Sequence, residues 1–240
     1  MNIRKHIPDT ITSMNLLCGV VGVIFTMDGR PDIGFILMLC GAVCDFFDGL
    51  SARLLKASSG IGKELDSLAD EVSFGVLPAL MLYKIGGCEI TFLKFFPIIL
   101  AAFSALRLAK FNLDERQHEG FLGLPTPASA MICGSLAYYV HGAPGSMLAG
   151  WSDGPVFLPV LAALLCALLV SEIPMFSFKF GGGNQTSSRD RWKRWIFMAF
   201  VAASVVAVLA TKANWSLAIL FSFIGYILVN LAFVFTKPSE

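Results

Sequence analysis

Charge is what this chain has little of. Only 15% of its 240 residues are Asp, Glu, Lys or Arg, against about 25% in soluble proteins, which excludes a chain folded wholly in water. The net charge of +1 carries no signal for nucleic acid, and none is expected as a partner. Six cysteines, at 18, 40, 44, 88, 133 and 166, include no Cys-x-x-Cys pair and mostly fall inside apolar runs. They are expected as small buried hydrophobes, not metal or redox groups. His6, His118 and His141 lack metal-ligand spacing. There is no long acidic or basic tail, no internal repeat, and no low-complexity tract beyond Gly181-Gly182-Gly183. The N-terminal stretch is not expected to act as a secretory signal, because the apolar run after Pro8 is long and lacks a clear small-residue cleavage site.

Apolar residues fill the space that charge leaves. They make up 56% of the chain, with 21 Phe and a mean hydropathy of +0.72. Runs long enough for a ~30 Å hydrocarbon layer fall at about 10–28, 32–54, 63–85, 90–111, 125–142, 155–173, 192–211 and 214–236. The expected fold is an all-α polytopic bundle of about eight transmembrane helices, forming one integral membrane domain over 1–240. Within it, 1–8 is expected as a short interfacial helix, about 9–173 as the catalytic core, and 192–236 as additional helices. Lys and Arg set the orientation. With the N-terminus in the cytoplasm, fourteen fall in cytoplasmic segments, from Arg4 and Lys5 to Lys237, against Arg30, Lys84 and Lys212 outside. The positive-inside rule then puts both termini in the cytoplasm.

Two acidic pairs interrupt the apolar background: Asp45-x-x-Asp48-Gly49-x-x-Ala52-Arg53, then eight residues, then Gly62-x-x-x-Asp66-x-x-x-Asp70. Spacings of three and four put each pair on one face of its helix. About twelve apolar residues, Ile33 to Cys44, precede Asp45. At ~1.5 Å each they rise roughly 18 Å, which leaves Asp45 in the cytoplasmic half of the membrane. Ionisable groups at such depth line a cavity rather than face lipid, and an array of carboxylates suits hard divalent cations. The neighbours extend that chemistry. Gly49 and Ala52 lack bulk, so a flat or phosphorylated group can approach the backbone. Arg53 offers a planar fork for phosphate oxygens. Gly62 leaves room beside a helix N-terminus, where free N–H groups favour anions. The set reads as a site for attack on a phosphoanhydride held by metal next to a lipid.

The pattern resembles the signature of the CDP-alcohol phosphotransferases, D-x2-D-G-x2-A-R-x8-G-x3-D-x3-D, with every fixed position present. At ~6% per residue type, eight fixed positions coincide at roughly 10⁻¹⁰ per start, so chance is not the explanation. Thr12 to Gly19, Glu64 to Asp70 with Val72 to Val76, Arg107-Leu-Ala-Lys-Phe-Asn112 and Phe121-Leu-Gly-Leu-Pro-Thr-Pro127 are similar to the membrane-embedded phosphatidylserine synthase branch of that family. The resemblance covers roughly 8–130. It implies transfer of a phosphatidyl group from CDP-diacylglycerol to L-serine with release of CMP. It also implies two Mg²⁺ or Mn²⁺ ions on Asp45, Asp48, Asp66 and partly Asp70. Asp70 would serve as base for the acceptor hydroxyl, and Asp48, Gly49, Ala52, Arg53, Gly62 and Asp66 would hold CDP-diacylglycerol. A homodimer at the inner cell membrane, surrounded by lipid and with its site facing the cytoplasm, is implied as well.

Several assignments stay open at this stage. Arg107, Lys110 and Asn112 end the fourth run, where they either anchor the helix at the interface or capture the acceptor's carboxylate or a phosphate. Asn15 suits an interhelical hydrogen bond or a nucleotide contact. Pro125 and Pro127 shape the start of the fifth helix, and the basic cluster Arg189, Arg191, Lys193 and Arg194 suits anionic lipid. The shared motif handles only the CDP half, so glycerol 3-phosphate, inositol phosphate or an amino alcohol remain alternative acceptors. A divalent-cation transporter is the alternative of another class. Arg53 argues against it, since a guanidinium beside a cation path raises the barrier.

Overall fold

The computed structural model describes residues 6–55, 60–113, 121–176 and 188–235. The helices in chain order are α1 (His6–Met27), α2 (Pro31–Leu54), α3 (Gly60–Asp70), α4 (Leu77–Ile85), α5 (Thr91–Phe95), α6 (Ile99–Leu113), α7 (Thr126–Gly142), α8 (Met147–Asp153), α9 (Phe157–Val170), α10 (Ser188–Thr211) and α11 (Ser216–Phe235). Two-residue strands β1 (Phe121–Leu122) and β2 (Pro174–Met175) pair antiparallel. The all-α membrane bundle expected from the sequence is the observed architecture. Among the described residues, five helices are long and apolar enough to cross a membrane, or six if α8 and α9, bent by 88°, count as one broken span. The expected eight are not reached by that measure. The third run opens with the polar α3, and α7 has only 17 residues.

The interfacial helix expected over 1–8 is not a separate element where it is described; residues 1–5 lie outside the described residues. His6, Ile7 and Pro8 form the first turn of α1, where proline's missing N–H leaves no hydrogen bond unmade. The buried face of α1 carries Pro8, Thr12, Asn15, Gly19, Gly22 and Thr26. Small residues three or four apart let helices approach closely within lipid. Gly34 of α2 meets the Thr26 hydroxyl, and Gly41 meets Asn15, so close that an added Cβ would stand 2.8 Å from Asn15 Oδ1.

Between α3 and α4 the helix widens into a π-helical segment, Glu71–Val76, with the Leu77 N–H bonded to the Val72 carbonyl. Pro78 supplies the cause. It has no N–H for the Phe74 carbonyl, and its ring would collide with that oxygen in a regular helix. Phe74 and Leu77 then pack with Phe35, Met38, Met81, Ala130 and Ala137 in one core. A larger core joins α6, α7, α9, α10 and α11 through Leu100, Leu136, Leu165, Phe197 and Tyr226 among others. At one end of the bundle Arg30 donates two hydrogen bonds to Asp32, at 3.0 and 2.9 Å, and His141 of α7 approaches the same carboxylate at 3.4 Å. All six cysteines are free, and three of them are buried.

Candidate active site

Helix α2 presents Asp45 and Asp48, and α3 presents Asp66. One carboxylate oxygen from each lies within 4.8 Å of the others. Asp48 is only 5% exposed, and Asp45 lies close enough to repel both Asp66 and Asp48. Asp48 Oδ2 and Asp66 Oδ1 are buried without a hydrogen-bond partner among the described residues. Buried acceptors left without donors are costly. Hard anionic oxygens at this spacing fit a divalent cation, so the donor set suits the metal that the motif implies.

Asp70 is not in that group of three. Its Oδ1 accepts a hydrogen bond from Asn15 Nδ2 at 3.2 Å, and Asn15 itself is fully buried. The Ser73 hydroxyl donates to the Asn15 carbonyl at 3.0 Å, so α1 is tied to the α3–π junction at two points. Of the two roles open to Asn15, the interhelical hydrogen bond is the one observed. Asp70 remains within electrostatic reach of Asp45, Asp66 and Asp48. Near the end of α2, a Cβ added at Gly49 would meet nothing within 4 Å, which leaves the backbone open to a ligand. Ala52 is half-buried and Arg53 exposed, while Gly62 is half-buried in the first turn of α3.

Arg107, Lys110 and Asn112 do not converge. At about 100° per residue, Asn112 sits roughly 140° from Arg107 around α6, and Lys110 roughly 60° the other way. Arg107 is buried at 7% exposure. It donates to Thr126 Oγ1 at 3.2 Å, lies 5.1 Å from the Phe111 ring centroid, and is within electrostatic reach of Asp70. Lys110 instead points outward to Glu172 at 3.3 Å. Asn112 donates to Ser67 Oγ at 2.8 Å, and its carbonyl accepts from Lys63 at 3.3 Å. The shared rim expected from the sequence thus divides into one inward cation and two residues engaged elsewhere.

Two residues beside the site were given no role by the sequence. Thr126, the partner of Arg107, lies in the 121–127 stretch that carries the resemblance, but only the prolines on either side of it were assigned a part there. Glu71 opens the π-helical segment, its carboxylate close over Gly75 and beside Ser104 of α6. No motif spacing marks it.

Helices long and apolar enough to cross a membrane, with three carboxylates converging from α2 and α3, define an all-α protein whose acid-rich site fits a divalent cation. Comparison with known sequences makes this specific. The profile of the CDP-alcohol phosphatidyltransferase family matches residues 5–156, and the chain belongs to that family. Among its relatives, the CDP-diacylglycerol–serine O-phosphatidyltransferase of Bacillus subtilis is 30% identical over 189 residues, covering 78% of this chain and 99% of its own. The protein of that name from Mycobacterium tuberculosis is 35% identical over 183 residues, covering 70% of this chain. The one from Methanocaldococcus jannaschii is 32% identical over 192 residues, covering 73% of this chain and 90% of its own. The match spans about 60% of the mycobacterial relative's length. Family membership removes the transporter reading.

Proposed function

We propose that this protein transfers the phosphatidyl group of CDP-diacylglycerol to L-serine, giving phosphatidylserine and CMP. The observation that carries the reading is the complete aspartate signature, folded so that three of its carboxylates converge within 4.8 Å while the fourth stands beside them. The names of relatives in bacteria and an archaeon support serine as the acceptor. Asp45, Asp48 and Asp66 would hold divalent metal, with two ions, Mg²⁺ or Mn²⁺, as the stoichiometry the resemblance implies. A cation held there would supply positive charge to offset that of the diphosphate and of the departing CMP.

The protein's own residues do the rest. Gly49 and Ala52 leave the end of α2 open to the cytidine diphosphate, and Arg53 and the α3 N-terminus at Gly62 bind its phosphate oxygens. The serine oxygen attacks the phosphorus that carries diacylglycerol, the bond to the bridging oxygen breaks, and CMP leaves with that oxygen. Asp70, oriented by Asn15, accepts the hydroxyl proton. Arg107, buried beside Thr126 and within electrostatic reach of Asp70, is the contact we assign to the serine carboxylate; Lys110 and Asn112 contribute through the helix surface. The residues 9–173 form the catalytic core, and 192–236 are added to it.

The charge bias argues that both termini and the site face the cytoplasm, and the resemblance favours a homodimer whose sites open independently. The deciding experiment uses the purified full chain with CDP-diacylglycerol, Mg²⁺ or Mn²⁺ and a panel of acceptors, with CMP release as readout. Serine should far exceed glycerol 3-phosphate, inositol phosphate and ethanolamine. Preference for any of those reassigns the acceptor.

A further inference from the structure

Helix α11 lies beyond the region that the family profile matches, yet it reaches toward the acceptor side of the site. Tyr226 is 3% exposed and Asn230 fully buried. The Tyr226 hydroxyl donates to the Phe176 carbonyl at 3.0 Å. Asn230 Oδ1 accepts from the Phe176 N–H at 3.1 Å, and its Nδ2 donates back to the Tyr226 carbonyl at 2.8 Å. Both polar groups of one residue are therefore caught by a single helix. The Phe176 ring adds edge-on contacts to Tyr226 at 5.0 Å and Phe197 at 5.8 Å.

Phe176 follows β2, and β2 pairs with β1. Immediately after β1, the Gly123 N–H donates to Ile173 O and the Leu124 N–H to Leu168 O, each at 2.9 Å. Gly123 takes φ +77°, and a Cβ there would stand 2.7 Å from the carbonyls of Leu169 and Ser171. Only glycine permits so tight a junction. Thr126, three residues on, accepts from Arg107. The Tyr226 phenol is also within electrostatic reach of that guanidinium.

We infer that α11 is a working wall of the acceptor pocket. Tyr226 and Asn230 are positioning residues that clamp Phe176 and, through the β2–β1 ladder and Thr126, hold the Arg107 guanidinium where the acceptor's carboxylate binds. A buried guanidinium is useful to a small anionic substrate only if it is held before binding, because ordering it afterwards subtracts from affinity. The inference rests on the acceptor role given to Arg107 above.

The test compares Tyr226→Phe, Asn230→Ala, Arg107→Ala and the Tyr226→Phe/Arg107→Ala double variant of the full chain. Apparent KM for L-serine, KM for CDP-diacylglycerol and kcat are measured for each. Removing the Tyr226 hydroxyl deletes one buried hydrogen bond, so serine KM should rise about five- to tenfold. KM for CDP-diacylglycerol should move less than twofold, and kcat should fall less than serine KM rises. Asn230→Ala should show the same split, and the double variant should add little to Arg107→Ala, since Tyr226 acts through that residue. If Arg107→Ala raises serine KM selectively while Tyr226→Phe and Asn230→Ala do not, the clamp is wrong and the acceptor reading survives. If Arg107→Ala itself spares serine KM, the acceptor reading fails and the clamp with it. A merely structural wall would change both substrates' KM values alike.

Discussion

Asp70→Asn isolates the proton-accepting step from everything else at the site. The replacement keeps the shape of the side chain and leaves an oxygen to accept from Asn15 Nδ2, now 3.2 Å away. A buried hydrogen bond to a charged acceptor contributes about 1.5–3 kcal/mol and one to a neutral acceptor about 0.5–1.5, so this contact weakens by about 1–1.5 kcal/mol. The same change removes a negative charge that lies within reach of Asp45, Asp66 and Asp48, and that relief acts in the opposite direction. The two effects largely offset, so thermal stability in detergent should stay close to that of the parent. Turnover should not. A positioned base contributes about 10²–10⁴-fold, and a loss of at least ~10²-fold in kcat corresponds to about 2.7 kcal/mol of barrier. The assay pairs CMP release with a direct titration of CDP-diacylglycerol onto the variant. Binding should persist, because the three convergent carboxylates and Arg53 are untouched. Raising the pH should rescue little, since the serine hydroxyl stays protonated well above neutrality. Loss of nucleotide binding, with activity recovered by excess metal, would instead make Asp70 chiefly a metal ligand and sink the argument.

The other expectations are simpler to state. Asp45→Asn, Asp48→Asn and Asp66→Asn should each weaken Mg²⁺ or Mn²⁺ affinity and nearly abolish turnover, with strongly non-additive losses because the three serve one unit; a double variant keeping a tenth of parental activity at ordinary Mg²⁺ refutes the grouping. Asn15→Leu should lower kcat about 10- to 100-fold, the worth of a hydrogen bond to a charged partner, while CDP-diacylglycerol still binds. Unchanged turnover there means that Asn15 only packs α1 against Gly41. Cysteines placed at Ser58 and Ser187, both outside the described residues, should resist impermeant thiol reagents in intact cells if the connections that carry them are cytoplasmic; ready labelling of either overturns the orientation.

The sequence by itself determined the helical membrane class, the approximate limits of the helices and the aspartate motif. These depend on hydropathy over about twenty residues and on spacings of three or four, which a single helix expresses without help from the rest of the chain. What depends on residues far apart in the chain was decided by tertiary structure alone. Asn15 and Asp70 are separated by 55 positions, and nothing in either neighbourhood names the other. The convergence of Asp45, Asp48 and Asp66, with Asp70 turned to Asn15, follows from how α1 packs on α2 and α3 through small residues. On α6, helical geometry alone separates Asn112 from Arg107, but only packing decides which side faces inward; burial of Arg107 against Thr126 left Lys110 to the surface. The clamp of α11 on Phe176 is the most distant of these effects, spanning 50 and 54 positions. It exists because the Phe176 N–H and carbonyl, buried outside any helix, take their partners from Asn230 and Tyr226, side chains arriving from elsewhere in the chain.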